Sequence, residues 1–386
     1  MKIGIFSESY EPVLNGVTVS ILTLTRELKK LGHDIYVFAP NYPGHKDVEN
    51  VTFRFPSVRT WFARDYPLAW PYMPGLTRKV KQLGLDVIHT HTPFMTGWAG
   101  LKLARRLGIP IVSTNHTQYV EYAHYVPLAP RATMRAIIIG HLRRYYNKCD
   151  GVVVPSSPTA DLLRTYGVLK PIYVIPTGNT LDTCMDPQAR STIRQEYGIP
   201  ADARALIYVG RLAREKNLGL LFNAFEKLAA GCEGLYLLVV GGGPFEAGCR
   251  EIAARLAYSG RVKFTGYIPR EKVAKYYSAG DIFAFPSMTE TQGLVIGEAL
   301  GAGLPCVAVN AGGAPEMVVD GADSFLAAND AEDFSSKIAR FLTDRELYRR
   351  FSCKAVENAA RFTPHGMAAR MLEVYETVIR SRVLLT

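Results

Sequence analysis

A chain of 386 residues with 48% hydrophobic and 21% charged residues is long enough for two globular domains and too apolar to be disordered. Its apolar runs stay below the ~18 residues that span a bilayer, and the opening segment 1–6 is too short for a secretory signal peptide. Six scattered cysteines form no C-x-x-C pair. We therefore expect a reduced, cytoplasmic chain without a structural metal.

The net charge of +10 is concentrated in one half of the sequence. Residues 1–177 hold 21 Lys and Arg against 11 Asp and Glu, whereas residues 178–386 hold 24 of each. A basic face attracts polyanions, so an anionic membrane, an acidic substrate and nucleic acid are candidate partners, and a solvated surface is the alternative. Because no recognisable nucleic-acid-binding motif is present, we expect no nucleic-acid partner.

Apolar segments typical of buried strands alternate with helical patterns along the chain. A first series of strands is predicted at 2–6, 34–39, 87–90, 111–114 and 151–154, with a helix over 17–31. A second series is predicted at 173–175, 205–210, 236–241, 262–266, 282–285 and 305–309, with helices near 217–229, 245–258, 270–279 and 294–302. This alternation is typical of α/β folds with parallel sheets, so we predict two Rossmann-like domains with a hinge near residues 175–178.

A nicotinamide-dependent oxidoreductase is one alternative that Rossmann-like sheets suggest. Its fingerprint G-x-G-x-x-G should follow the first strand, but residues 7–16 read S-E-S-Y-E-P-V-L-N-G. The run G-G-G-P at 241–244 ends a later strand without the third glycine. The sequence therefore disfavours dinucleotide chemistry.

The first of four motifs in the second half is G-R-L-A-R-E-K-N at 210–217, where a predicted strand passes into a helix. The C-terminal edge of a parallel sheet is where such folds bind ligands. Arg211 is suited to a diphosphate by its planar fork and Lys216 as a point charge. For this motif alone, a solvated turn is the alternative.

The second motif is E-T-Q-G-L-V-I-G-E at 290–298, in which Glu290 precedes a helix and Glu298 lies inside it. Amides at the helix N-terminus, those of Gly293, Leu294 and Val295, suit a phosphate. Glu298 is placed to accept hydrogen bonds from ribose hydroxyls, and Glu290 from hydroxyls of a transferred sugar.

Two turns complete the set of four motifs. In G-Y-I-P at 266–269, Tyr267 follows a strand, where backbone groups could contact a base. The glycine-rich G-G-A-P-E at 312–316 follows another strand. Each is open to interpretation as a simple turn.

Together these motifs resemble the retaining GT-B glycosyltransferases of family 4 in order and spacing, over essentially the whole chain. The loop P-V-L-N-G-V at 12–17 is similar to the family's glycine-containing loop, and Gln292 replaces the commoner phenylalanine of E-x-F-G. The resemblance implies a nucleotide sugar in an interdomain cleft, with Gly16, Arg211 and Lys216 on the diphosphate, Glu298 on the ribose and Glu290 on the sugar. It implies an acceptor-binding domain at 1–177, onto which a helix at 365–386 packs back, and a donor-binding domain at 178–364.

A narrower resemblance concerns T-N-H-T-Q-Y-V-E-Y-A-H-Y at 114–125, which is similar to a segment of bacterial α-glycosyldiacylglycerol synthases. Gln292 also matches the variant of the second motif in those enzymes. The resemblance implies that His116 lies by the donor sugar near its anomeric carbon; a packed loop residue is the alternative. His89 and His91 alternate at a strand end and are expected to be structural.

Basic and apolar residues mix in one predicted helix at 131–148. Amphipathic basic helices lie on anionic lipid, so we predict membrane docking there; a helix packed on its own domain is the alternative. The segment W-F-A-R-D-Y-P-L-A-W at 61–70 is interpreted as an irregular stretch, either an interfacial or acceptor loop or a small satellite core.

The two resemblances imply an α-glycosyltransferase, and we expect it to move glucose from UDP-glucose to diacylglycerol at the inner face of the cell membrane. Glu290, His116, Arg211 and Lys216 are the expected catalytic residues. Because no D-x-D motif is placed for a divalent ion, we expect two cations to replace the metal and no cofactor. A soluble sugar or sugar-phosphate acceptor is one alternative, and a nucleotide-sugar epimerase, which shares the architecture, is another.

Overall fold

The computed structural model describes residues 1–45, 47, 51–60, 63–70, 73–121, 130–179 and 184–383. The chain forms two compact units. The first combines Met1–Gly178 with Thr363–Thr386, and the second is Asn179–Phe362.

Strands and helices alternate throughout, as the sequence pattern predicts. The strands are β1 (Lys2–Phe6), β2 (Asp34–Pro40), β3 (Thr52–Phe55), β4 (Ser57–Thr60), β5 (Ala63–Ala69), β6 (Val87–Thr90), β7 (Ile111–Thr114), β8 (Gly151–Val154), β9 (Ile172–Val174), β10 (Arg204–Val209), β11 (Leu235–Val240), β12 (Val262–Gly266), β13 (Ile282–Phe285), β14 (Cys306–Val309) and β15 (Ser324–Ala327). The helices are α1 (Gly16–Lys30), α2 (Leu76–Leu83), α3 (Met95–Leu107), α4 (Arg131–Tyr146), α5 (Ser157–Thr165), α6 (Pro187–Glu196), α7 (Leu218–Gly231), α8 (Glu246–Ala254), α9 (Arg270–Tyr277), α10 (Leu294–Gly301), α11 (Ala314–Met317), α12 (Ala331–Thr343), α13 (Arg345–Ala359) and α14 (Pro364–Val383).

The first unit is built on a sheet whose described strands run in the order β3-β2-β1-β6-β7-β8-β9, all parallel. β1 can lie inside the sheet because its residues from Ile3 to Phe6 are buried on both faces. The last helix, α14, packs against α1 and buries Met371 and Tyr375 in one apolar cluster with Ile3 and Ile5 of β1.

The second unit repeats the plan with the described strand order β12-β11-β10-β13-β14-β15, again parallel. Its sheet is covered on both faces, by Phe222 and Phe225 of α7 on one side and by Ile296 and Leu300 of α10 on the other. Ligand-binding loops then lie at the carboxyl edge, because every strand of a parallel sheet ends there.

The α/β prediction is confirmed, and the predicted strands at 2–6, 87–90, 111–114, 151–154, 262–266 and 282–285 match the structure residue for residue. The irregular stretch expected at 61–70 is wrong in its larger part: residues 63–69 form β5, antiparallel to β4, while 61 and 62 lie outside the described residues. A two-stranded ribbon does not need the continuous apolar run that marks a buried parallel strand. No helix in the described part of the chain is long and apolar enough to cross a membrane.

Candidate active site

Two basic residues follow β10 at the carboxyl edge of the second unit's sheet. The chain leaves the strand at Val209 and passes through a short 3₁₀ turn into α7. Arg211 donates from Nη2 to Glu215 Oε1 at 2.7 Å, and 44% of its side chain stays exposed. A partly exposed guanidinium at a sheet edge can still bind an anionic ligand.

The second cation, Lys216, contacts the carboxylate of Glu290 from the other motif. Lys216 Nζ lies 2.5 Å from Glu290 Oε1, and the side chains are 14% and 22% exposed. Attraction between opposite charges is stronger in such a partly dehydrated place than in water. Two motifs 74 residues apart are thereby brought into one site.

The loop that carries Glu290 rests directly on the glycine-rich fourth motif. Gly313 N donates to Glu290 O at 2.8 Å. A Cβ on Gly313 would lie 2.3 Å from Thr291 O, and one on Gly312, whose φ is +57°, would lie 2.4 Å from Glu290 O. Only glycine permits this close approach. The fourth motif therefore packs directly against the backbone of the Glu290 loop and is more than a simple turn.

The helix after this loop, α10, begins at Leu294, with Gly293 as its N-cap in the left-handed region. Because the N-cap residue is a glycine, it has no side chain of its own to cap the helix. Leu294 and Val295 of its first turn are half-buried, whereas Gln292 is buried. A helix N-terminus carries partial positive charge, which suits a phosphate.

The second carboxylate, Glu298, is almost completely enclosed, with 1% exposure. Arg270 forms an ion pair with its Oε1, and the Tyr277 hydroxyl donates to its Oε2 at 2.7 Å. Burial, together with the neighbouring carboxylate, raises the pKa of Tyr277 well above its usual range, so this phenol stays a donor. Both carboxylate oxygens therefore already have protein donors.

Arg270 and Tyr277 were missed by the sequence reasoning. They begin and end α9, seven residues apart, and this spacing places them on one face of the helix two turns apart. That spacing is the signal that could have found them. Tyr267, in the turn before α9, is 75% exposed.

In the first unit, Gly16 opens α1 at the carboxyl edge of the sheet. Asn15 caps the helix by accepting from Thr18 N at 2.9 Å, and its amide donates to Ser9 Oγ at 2.6 Å. A Cβ built on Gly16 meets no described atom within 4 Å. Packing within the described part of the chain therefore does not require a glycine at this position.

His116 follows β7 at the same edge, and His91 follows the adjacent strand β6. His91 Nδ1 lies 2.8 Å from His116 Nε2. Burial lowers the pKa of His116 to about 4 and that of His91 well below 6.5. Both rings are therefore neutral at pH 7. His91 was expected to be structural, and the structure places its ring in contact with His116, the predicted site residue.

His89 has the structural role expected of it. Its ring is buried, with Nδ1 2.7 Å from the Tyr375 hydroxyl of α14 and Nε2 2.7 Å from Thr114 Oγ1. Burial, reinforced by His116, lowers its pKa to about 3. It ties the last helix to the sheet.

The predicted basic helix, α4, is partly buried and partly exposed. Leu142, Tyr145 and Tyr146 near its end are buried in the core of the first unit. Towards its start, Ile137 is 57% exposed. Arg143 and Arg144 are exposed. The helix is thus both packed on its own domain and able to present basic and apolar side chains outward.

No group of three or more His, Cys, Asp or Glu residues is placed to hold a metal ion among the residues that the structure describes. The metal-independent chemistry expected from the sequence stays a prediction. His124, in the segment that resembles the glycolipid synthases, lies outside the described residues.

Comparison with known proteins identifies two sequence families along the chain. Residues 14–182 match Glycosyltransferase Family 4, and residues 189–358 match Glycosyl transferases group 1. The chain is 35% identical over 317 residues to the alpha-monoglucosyldiacylglycerol synthase of Streptococcus pneumoniae, covering 80% of this chain and 71% of that protein. It is 29% identical over 391 residues to a GDP-mannose-dependent alpha-mannosyltransferase of Corynebacterium glutamicum, covering 98% and 89%.

Among solved structures, sucrose-phosphate synthase from Thermosynechococcus elongatus is similar with a TM-score of 0.78 and 24% identity, covering 98% of this chain and 99% of that one. This likeness confirms the predicted GT-B architecture of two parallel-sheet α/β domains. The two family matches span the segments that carry the motifs, and the relative at 35% identity covers 80% of the chain. The chain therefore belongs to glycosyltransferase family 4 and is a retaining glycosyltransferase.

Proposed function

We propose that the protein transfers glucose from UDP-glucose to the free hydroxyl of diacylglycerol, forming an α-glycolipid. The observation that carries the donor chemistry is the contact of Lys216 with Glu290, because it joins a phosphate-directed cation to a sugar-directed carboxylate at one sheet edge. The choice of glucose and diacylglycerol is supported by the 35% identity to a glucosyldiacylglycerol synthase.

In the proposed reaction, the bond from the anomeric carbon to the β-phosphate oxygen breaks. A bond from that carbon to the acceptor oxygen forms on the same face of the sugar. The acceptor's proton passes to the leaving diphosphate oxygen, so no carboxylate nucleophile is needed. Arg211, Lys216 and the start of α10 stabilise the growing negative charge on the diphosphate, which is where preorganised donors lower a barrier most.

The remaining predicted residues are assigned to the donor by their chemistry. Glu290 accepts hydrogen bonds from the sugar, and the turn at Tyr267 lies against the base. Glu298 accepts from the ribose: a carboxylate has about four acceptor sites, so the bonds from Arg270 and Tyr277 leave capacity for hydroxyls. In the first unit, Gly16 contacts the diphosphate and His116 the transferred sugar.

We further propose that the protein docks on the inner face of the cell membrane through α4, where the lipid acceptor is available. The exposed Ile137 and the exposed Arg143 and Arg144 support this, since apolar and basic side chains together favour an anionic lipid surface. The excess charge of residues 1–177 points in the same direction.

Measuring the transfer activity with each combination of candidate donor and acceptor, as a matrix of assays, tests the proposal. UDP-glucose with diacylglycerol in vesicles should give the highest kcat/KM, and activity should survive EDTA. Higher turnover with soluble sugars would remove the lipid acceptor. A changed nucleotide sugar formed without any acceptor would indicate an epimerase.

GDP-mannose is the second candidate donor. The relative that covers 98% of this chain is a GDP-mannose-dependent mannosyltransferase. The same matrix decides between them, because each donor is supplied at equal, subsaturating concentration. A preference for GDP-mannose would replace the donor and leave the family unchanged.

A further inference from the structure

The contact between His91 and His116 restricts what His116 can do chemically. The two nitrogens are 2.8 Å apart, the ring planes differ by 14°, and the ring centroids are 5.1 Å apart. These values place the rings edge to edge and nearly coplanar, the geometry of an in-plane N–H···N hydrogen bond. One proton lies between the two nitrogens, so one ring donates and the other accepts.

The other nitrogen of His91 indicates which ring donates. His91 is 2% exposed, and its Nε2 has no hydrogen-bond partner within the described part of the chain. It lines a small cavity together with Ser20, Thr177 and His116. Among buried backbone groups, an N–H without an acceptor is rarer than an acceptor without a donor, and we apply the same preference to the ring nitrogens. The proton of neutral His91 therefore belongs on Nδ1, from which it donates to His116.

We propose that His91 is a positioning residue that holds the His116 ring in place and fixes it as the tautomer protonated at Nδ1. Because His116 Nε2 accepts from His91, its single proton lies on Nδ1, which becomes a hydrogen-bond donor. His116 then offers the donor sugar an N–H for an oxygen atom and is no general base. This inference rests on the proposed role of His116 at the sugar.

Three substitutions of His91 separate these effects. Asparagine can place an amide N–H where Nδ1 lies and should retain most activity. Leucine removes the bond; because a displacement of about 1 Å at a reacting group can cost about 100-fold in rate, we expect a loss of that order in kcat. Aspartate is an acceptor only, forces the proton of His116 onto Nε2, and should be at least as damaging as leucine although it keeps a hydrogen bond.

A spectroscopic measurement tests the tautomer without any substrate. In protein labelled with ¹⁵N at histidine, side-chain correlation spectra distinguish a protonated Nδ1 from a protonated Nε2, and His116→Gln assigns the signal. We expect Nδ1–H in the wild type and Nε2–H in His91→Asp. Unaltered His116 signals in His91→Leu, or Nε2–H in the wild type, would overturn the proposal.

The two hypotheses fail in different ways. If the enzyme shows no glucosyl transfer, the spectra still report on the histidine pair. If transfer occurs and His91→Leu, with a wild-type melting temperature, keeps wild-type kcat, the positioning role is wrong while the proposed function stands.

Discussion

At the level of single residues, the sequence predicted the types of side chain but not their partners. Arg211, Lys216, Glu290 and Glu298 were found because each follows or precedes a recognisable strand. Two of their contacts join residues far apart in the chain: Arg270 and Glu298 are 28 positions apart, and Lys216 and Glu290 are 74 apart. Such pairings depend on which strands are neighbours in the sheet, which a local pattern cannot give.

The role of Lys216 gives the first prediction. Lys216→Ala should lower kcat/KM at least about tenfold, since a lost charge-assisted hydrogen bond costs about 1.5–3 kcal/mol. Steady-state kinetics with the nucleotide sugar below saturation measures it. Lys227→Ala is the matched control, because Lys227 pairs with Glu332 on the surface of the same unit. Kinetics of Lys216→Ala equal to those of the control would remove Lys216 from the donor site.

The buried pair of Arg270 and Glu298 gives a prediction about stability. Arg270→Met removes the cation and leaves an enclosed carboxylate, so the free energy of unfolding should fall by about 3 kcal/mol, the lower end for a broken buried pair. Arg270→Met combined with Glu298→Gln should recover part of the lost stability, since the negative charge of Glu298 is then also removed. Denaturant unfolding followed by circular dichroism measures both.

The control for that experiment is Arg255→Ala. Arg255 pairs with Glu251 on the surface of the same unit, where an ion pair contributes at most about 1 kcal/mol. If Arg270→Met lowers the free energy of unfolding no more than Arg255→Ala does, Glu298 is not held as a buried ion. Calorimetry with UDP on the same variants reports whether ribose binding depends on the pair.

At the level of elements, buried parallel strands were predicted most accurately. Strands such as β8 and β13 are buried at every residue and contain no polar side chain, so their apolar run is the whole strand. The hairpin β4–β5 was missed because its two strands mix polar and apolar residues. The strand β15 was also missed, although residues 325–327 form a short apolar run. Helix α4 was found, but the sequence could not show which of its side chains are packed in the core, such as Leu142 and Tyr145, and which are exposed, such as Ile137.

The divided environment of α4 gives a prediction about membrane binding. Arg143→Glu with Arg144→Glu should release the protein from anionic vesicles, because each surface cation contributes about 1 kcal/mol. Binding of the wild type should weaken as salt screens the surface. Sedimentation with vesicles of graded anionic content measures both, beside a melting curve for each variant.

Arg349→Glu with Arg350→Glu makes the same charge change on an exposed face of α13 and serves as the control. If both double variants bind equally, the attraction comes from net charge and not from α4. If the wild type binds neutral and anionic vesicles alike, or neither, the soluble-acceptor alternative replaces the lipid.

At the level of the whole molecule, the two units share one architecture and differ in chemistry. The sequence predicted this division from charge: the first half carries the whole excess of +10. It did not predict that three histidines gather at the carboxyl edge of the first unit's sheet, since His116 lies 25 residues beyond His91. All three are neutral when folded, because burial lowers the pKa of each.

This cluster predicts how the stability of the first unit depends on pH. In the unfolded chain a histidine titrates near 6.5, whereas the folded pKa is about 3 for His89 and about 4 for His116. Below pH 6.5 the unfolded state binds more protons at these histidines than the folded state does. Their effect on the free energy of unfolding is therefore most favourable above pH 6.5, and the free energy of unfolding decreases as the pH falls. Each histidine should contribute about 1.4 kcal/mol per pH unit between roughly pH 6 and 5.

The tryptophans make this measurable for the first unit alone, because Trp61, Trp70 and Trp98 all belong to it. Urea unfolding followed by tryptophan fluorescence at pH 7, 6 and 5.5 gives the slope of the free energy of unfolding against pH. Burial raises the pKa of Glu8, and this carboxyl group changes the pH dependence of stability in the opposite direction. The test is therefore the difference in slope between variants and not the slope of the wild type alone. His116→Gln should reduce the slope by one histidine's share, while His365→Gln, at an exposed position on α14, should leave it unchanged. Equal slopes in the wild type and His116→Gln would mean that His116 titrates normally in the folded protein.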